Sequence, residues 1–291
     1  MTILIAGATG SLGRQLTVEL ERRSQQVRAL VRDRRRAAAI DPPPSEIAVC
    51  DLTDERFDLA KVCSGAETVI SVAGQSTLSR RLPDRRGFNE VDYRGNARLI
   101  EAAESAGVSR FLYLSVFNAE RLRGLEYVDA HERVVERLRA SDIEGTVVRA
   151  NGFFSAYREL LELAAAGRRM PLFHGGAARS NPIDEADLAA ACLEALESGE
   201  TEVDVGGPET LTRREEAELA FAAVGRKPRS RPVPLWIAKS AATALRPLDR
   251  RRAASLAFVA AISSMDMVAP GHGTRRLVDY LAEHGEALRG A

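Results

Sequence analysis

Lysine is nearly missing from this chain. Of its 41 Lys and Arg residues only Lys61, Lys227 and Lys239 are lysine, and the other 38 are arginine. Chemistry that needs a lysine therefore has few candidates. Cysteine is also scarce: Cys50, Cys63 and Cys192 form an odd, scattered set, which excludes a disulfide framework and offers no metal-ligand spacing. Reduced thiols and no metal site are the expectation. The chain enters an apolar run at Ile3–Ala6 without a basic leader, so the expected compartment is the cytoplasm. Long apolar stretches are lacking too. Ser255–Met267 is short and interrupted, which excludes a membrane span. Charge of one sign is absent, the net being +0. Neither nucleic acid nor a membrane surface is an expected partner.

What is present suits one large domain, or a large domain with a smaller appendage: 291 residues, 45% of them hydrophobic. Thr2–Ala6, Gln26–Val31, Glu46–Val49, Glu67–Ala73, Arg110–Leu114 and Thr146–Arg149 read as strands. Between them lie helical patterns: Ser11–Arg23, Asn89–Ala106 and Ala130–Ala140. This alternation predicts an α/β fold, a Rossmann-type doubly wound parallel sheet with helices on both faces. From about Gly152 the pattern turns mostly helical: Ser155–Ala166, Glu185–Glu197, Thr212–Val224, Leu235–Leu245 and Asp249–Ser264. Ser180–Ile183 and Glu202–Val205 are short extended pieces. Asp41–Pro44 and Arg229–Pro234 read as loops. The organisation expected is a nucleotide-binding unit over 1–151 and a substrate or lid region over 152–291, sharing one core.

The strongest local signal is "ILIAGATGSLGRQL". An apolar strand runs into Gly7-Ala8-Thr9-Gly10-Ser11-Leu12-Gly13 and then a helix. Gly7 permits a tight turn, Gly10 lets a pyrophosphate approach the backbone, and Gly13 lets helix pack closely on strand. The helix start at Ser11 offers free N–H groups and a positive dipole end to phosphates. At the end of the second strand an acidic residue would bind the adenosine ribose, whereas an Arg would hold a 2′-phosphate. Arg32 comes first, ahead of Asp33, so NADP(H) is expected over NAD(H). Arg34, Arg35 and Arg36 read as a solvated loop. Asp51 follows the third strand, with Leu52 beside it, placed either to contact an adenine amine or to cap the next turn.

These segments resemble a known family. "GATGSLG", "VDYRGNARLIEAAESAGVSRFLYLS" and "TVVRANGFF" are similar to the atypical short-chain dehydrogenases/reductases, nearest their NmrA-like branch of NADPH-dependent reductases and redox sensors. "NPIDEADLA", "VGGPETLTRREEAELA" and "GTRRLVDYL" fit the C-terminal part of that group. The resemblance implies roles by position. Gly7, Thr9, Gly10, Leu12 and Gly13 match the phosphate loop. Ala73 and Gly74 match a turn against the cofactor ribose. Ser115 matches a serine ending the fifth strand. Arg149, Asn151, Gly152 and Phe153 match the segment that closes over the nicotinamide side; the family commonly has Arg-Pro where this chain has Arg149-Ala150.

In active relatives a Tyr exchanges a proton with the substrate oxygen, a Ser hydrogen-bonds it, and a Lys four residues after the Tyr binds ribose and lowers the Tyr pKa. Tyr127 and Ser115 match two places; His131 stands in the third. A neutral imidazole still donates one N–H but carries little charge at neutral pH. Three alternatives stay open: an acid–base site of Tyr127, Ser115 and His131 that is slow or works at slightly acid pH, a His131 that contacts the cofactor ribose without chemistry, or side chains that merely cover the sheet. Phe153, Phe154, Phe173, Trp236 and Phe258 are pocket-wall or core candidates. Gly74–Gly87 is a long polar loop, a lid candidate, whose Arg80, Arg81, Arg85 and Arg86 either meet an anionic substrate or are solvated. Three readings follow: an NADP(H)-dependent oxidoreductase on a small carbonyl, quinone or enone; a non-catalytic NADP(H)-binding redox sensor or partner-binding protein; and, least favoured, a nucleotide-sugar epimerase or dehydratase. A monomer or homodimer is expected.

Overall fold

The computed structural model describes residues 2–38, 40–77 and 86–289. Its centre is a seven-stranded parallel sheet. The strands are β1 (Thr2–Ala6), β2 (Gln26–Val31), β3 (Glu46–Val49), β4 (Thr68–Ser71), β5 (Arg110–Val116), β6 (Glu144–Ala150) and, after two small strands, β9 (Glu202–Val205). They lie in the order β3-β2-β1-β4-β5-β6-β9. The order reverses beside β1, which opens a crevice at the carboxyl ends of β1 and β4.

The continuous apolar runs make these strands because both faces are covered. Ile3 and Ile5 pack against Leu12, Leu16 and Leu20 of α1 (Ser11–Arg22) and Leu188 and Cys192 of α7 (Glu185–Ser198). On the other face Leu4, Val69, Phe111 and Tyr113 meet Leu99 and Ile100 of α4 (Gly95–Ser105) and Val134 and Leu138 of α5 (Glu126–Arg139). The short helices α2 (Arg34–Ala37) and α3 (Leu59–Cys63) follow β2 and β3.

The predicted bounds of the first three strands match the structure, and β9 proves to be a full member of the sheet beside β6. The single helix predicted over Asn89–Ala106 is a π-helical turn, Asn89–Arg94, running into α4. The remaining elements are α6 (Arg158–Ala165), β7 (Met170–Leu172), β8 (Arg179–Ser180), β10 (Leu211–Thr212), α8 (Arg213–Ala223), β11 (Ser230–Pro232), α9 (Leu235–Leu245), α10 (Arg250–Ile262) and α11 (Leu277–Glu286). The predicted loop Arg229–Pro234 contains β11, which pairs with β7. Its prolines are tolerated because the ladder uses the Arg229 carbonyl and the Val233 N–H instead. A separate core around Phe154, Leu161, Phe221 and Leu281 holds this part together. Among the described residues no helix is long and apolar enough to cross a membrane.

Candidate cofactor and active site

The glycine turn joins β1 to α1. Gly7 has φ +87°, and a Cβ there would lie 2.8 Å from the Val72 carbonyl. Only glycine fits this left-handed position against the end of β4. A Cβ on Gly13 would lie 2.7 Å from Ala8 Cα and would collide with the Gly7 carbonyl oxygen. Gly10 differs. Its N–H donates to the Gly7 carbonyl at 2.9 Å, and a Cβ would meet only that oxygen, at 3.3 Å. The space before it is open. Gly10 caps α1 without any side-chain bond, so the first N–H groups of the helix keep their capacity for an anion. Leu12 buries its side chain in the core and presents only backbone. Thr9 is half-buried and its carbonyl accepts from Arg14 Nη1 at 3.2 Å. Ser11 Oγ lies 3.3 Å from Ser155 Oγ, tying the turn to the C-terminal part.

Arg32 is the first residue past β2 and is exposed. Asp33 accepts from the Arg35 N–H at 2.9 Å and caps α2, so its carboxylate is already engaged. Asp51 turns out to cap the following turn. Its Oδ1 accepts from the Thr53 N–H at 2.9 Å and the Thr53 hydroxyl at 2.7 Å, and Oδ2 faces Arg86 Nη1 at 3.2 Å. Burial pushes its pKa up, but the Thr53 hydrogen bonds and the Arg86 charge outweigh this and lower it. Leu52 is buried beside Gly95, and its carbonyl accepts from Arg98 at 2.6 Å. Arg80, Arg81 and Arg85 lie outside the described residues.

At the end of β4 a buried polar cluster appears that sequence reasoning missed. The Ala73 carbonyl accepts from Asn96 Nδ2 at 3.0 Å. Asp92 Oδ1 accepts from the Gln75 N–H at 2.9 Å and lies where a Cβ on Gly74 would come within 2.8 Å. Asp92 is fully buried, and burial drives its pKa up to about 8. The available signal was the pair Asp92 and Asn96, four apart on the buried side of a helix otherwise lined with apolar residues.

Tyr127 and His131 share one face of α5 as their spacing predicts. Their rings sit 4.6 Å apart, edge to face. Tyr127 also packs edge-on against Phe88 at 5.0 Å and Phe258 at 4.6 Å. Burial and the charge of Asp92 raise its pKa, the reverse of what a neighbouring lysine would do. His131 is buried; its Nδ1 lies 2.8 Å from the Tyr113 hydroxyl and its Nε2 3.6 Å from Asp92 Oδ1. Burial lowers its pKa to about 4, against the pull of Glu132. At neutral pH the pair is therefore a protonated Asp92 and a neutral His131. His131 Nε2 and Asp92 Oδ2 are buried without a hydrogen-bond partner.

The structure does not bring Ser115 into this group. Its hydroxyl donates to Glu132 Oε1 at 3.2 Å, beside the ion pair of Glu132 with Arg149 Nη1 at 2.5 Å. Arg149 also bonds Glu202 of β9. Asn151 is likewise engaged: Nδ2 donates to Asn181 Oδ1 at 2.9 Å and to the Met267 carbonyl at 2.5 Å, and its own Oδ1 accepts from the Gly152 N–H at 2.9 Å. It staples β6 to the C-terminal part. Gly152 has open space where a Cβ would be, and Phe153 packs against the α1–α7 core. Phe154 is core, Phe173 packs with Ala238 and Ala260, and Trp236 is exposed, so of the five aromatics only Phe258 touches Tyr127.

Residues 7–199 match a family described as NAD(P)H-binding, a span that runs from the glycine turn through α7. The chain belongs to this NAD(P)H-binding family. Its resemblance to the atypical short-chain dehydrogenases/reductases accords with that membership. Photosystem II assembly factor Ycf39 of Trieres chinensis is 28% identical over 243 residues, covering 82% of this chain and 74% of that protein. The chloroplastic divinyl chlorophyllide a 8-vinyl-reductase of Zea mays is 28% identical over 254 residues, covering 81% of this chain but only 62% of the reductase. The fold is shared with the NADPH-dependent quinone oxidoreductase QOR2 of Escherichia coli, solved with NADPH: TM-score 0.71, 20% identity, covering 98% of this chain and 99% of that one. The relatives of this chain thus include a reductase and an assembly factor.

Proposed function

We propose that this protein is an NADP(H)-dependent oxidoreductase, of the NmrA-like branch, that reduces a small carbonyl, quinone or enone substrate. The observation that carries the reading is the open approach to Gly10, at a helix start whose N–H groups no side chain caps. Gly7, Thr9, Gly10, Ser11, Leu12 and Gly13 would hold the pyrophosphate, Arg32 the 2′-phosphate, and Ala73 and Gly74 the nicotinamide ribose. Residues 1–151 would form the cofactor unit and 152–291 the substrate side of a cytoplasmic monomer or homodimer.

His131 and Asp92 replace the missing lysine in this reading. Each keeps one buried polar atom unpartnered, and a ribose hydroxyl, both donor and acceptor, would answer both. The bound nicotinamide would supply the hydride. Tyr127, with its raised pKa, stays a protonated phenol. It is a weaker acid than an ordinary phenol but retains the proton that a reduced carbonyl oxygen needs.

The same aromatic enclosure of Tyr127 supports a second reading, a non-catalytic NADP(H)-binding sensor. Titration with NADPH, NADH and NADP⁺ tests the first step. Arg32→Ala should weaken NADPH binding roughly tenfold and leave NADH unchanged; preference for NADH would refute the role of Arg32. A substrate screen at 340 nm then separates the readings. Tyr127→Phe should cut turnover by about 100-fold or more, and equal turnover would remove Tyr127 as the acid.

A further inference from the structure

Apolar side chains stand in water on α9. Trp236 is 67% exposed, Ile237 43%, and Leu248, just past the helix, 84%. Ala238 and Ala242 face the protein body. Ser240, Thr243 and Ala244 share the exposed side with Trp236, and Lys239 is the one charge in the helix.

The flanking chain is cationic. No Asp or Glu occurs from Leu219 to Leu248. Pairing of β7 with β11 sets Met170 opposite Ser230. It gathers Arg168, Arg169, Arg226, Lys227, Arg229 and Arg231 at one corner, all exposed. The Val233 N–H bonds the Leu172 carbonyl at 2.9 Å, and the chain then enters α9. Among the described residues none of these six, nor Lys239 or Arg246, forms an ion pair. By contrast, Arg250 is matched by Glu126 at 2.9 Å and Arg252 by Asp249 at 3.2 Å.

Only Val233 and Pro234 separate β11 from α9, and each of the two, the corner and the helix, argues against a different partner. A nucleic acid or an acidic protein would answer the cations and leave Trp236 and Leu248 in water. A second apolar protein face would cover Trp236 and strand the unpaired arginines. A bilayer of anionic lipid answers both: indole among the headgroups, Ile and Leu just below, cations on the phosphates. We propose that α9 and the β7–β11 corner form a docking surface for an anionic lipid bilayer. At 11 residues the helix lies in the interface and does not cross. The expectation of no membrane partner rested on the net charge of the whole chain, which conceals this corner. The inference rests on no part of the proposed enzymatic reading.

Trp236 is the only tryptophan, so its emission reports on this surface. The full-length protein is mixed with vesicles of phosphatidylcholine alone and with vesicles rich in phosphatidylglycerol. Emission should shift to the blue, and protein should co-sediment, with the anionic vesicles only. Lys239→Glu with Arg246→Glu, or high salt, should weaken binding about tenfold or more. Leu248→Ser should weaken it too, while NADPH binding, read from nicotinamide fluorescence, stays as in the parent. Absence of a shift with anionic vesicles would overturn the proposal, as would equal binding to neutral ones. A concentration-dependent dimer broken by Ile237→Ser, without vesicle binding, would assign the face to a second copy instead.

Discussion

Asp92 is held as a neutral acid inside the protein, and the pH dependence of folding should show it. Its pKa in the fold is about 8, against an ordinary 3.8. Between those values the unfolded chain has lost the proton and the folded one has kept it, so stability falls as pH rises and the loss is complete above about pH 8. His131 acts oppositely: its pKa drops from 6.5 to about 4, so its contribution is lost as pH falls through that window. The two slopes oppose each other below pH 6.5, and Asp92 alone acts between there and pH 8. Asp92→Asn should flatten the Tm profile from pH 6.5 to 8, removing a slope of at most about 1.4 kcal/mol per pH unit, and unmask the histidine's decline at lower pH. A profile unchanged by the substitution would mean that Asp92 is ionised in the fold. The spacing of Asp92 and Asn96 was the one sign of this in the sequence; the raised pKa was not legible, because Asp92 in "NEVDYRGN" looks like a solvated helix residue until the end of β4 is laid across it.

At the scale of elements, the ion pair between α5 and β6 is the contact most exposed to loss. Glu132 and Arg149 are both nearly buried, and Arg149 reaches Glu202 of β9 as well. Glu132→Ala would leave a buried guanidinium half-answered, at a cost of about 3 kcal/mol; Ser115→Ala should cost about 1 kcal/mol. Urea unfolding distinguishes them, and equal midpoints for the two variants would contradict the ranking. Continuous apolar runs made the inner strands readable, since a strand covered on both faces has no alternation to misread. The same logic located Tyr127 beside His131, a local spacing. Ser115 could not be aimed from sequence: its direction depends on Glu132 and Arg149, 17 residues away from each other. Asn151 escaped for the same reason, its partners being Asn181 and Met267.

For the whole molecule, the sheet is completed late. β6 ends at Ala150, and its outer neighbour β9 begins at Glu202. Likewise α7 covers the same face of β1 as α1. A fragment of residues 1–151 keeps the glycine turn but should aggregate, with apolar surface bare on one face and one edge of β6 unpaired. Light scattering checks this; a soluble fragment that binds NADPH would show the cofactor unit to be self-sufficient. The C-terminal position of β9 could be read as extended, but not as part of the sheet, because the partner strand is remote in sequence.

That late strand has a consequence for synthesis. On the ribosome β6 emerges with one edge bare, and β9 follows some 52 residues later, roughly 3–10 s at ordinary elongation rates. During that interval the nascent chain presents a strand edge whose N–H and C=O groups have nothing of their own chain to pair with, so a chaperone that shields such segments is its expected companion until Val205 is made.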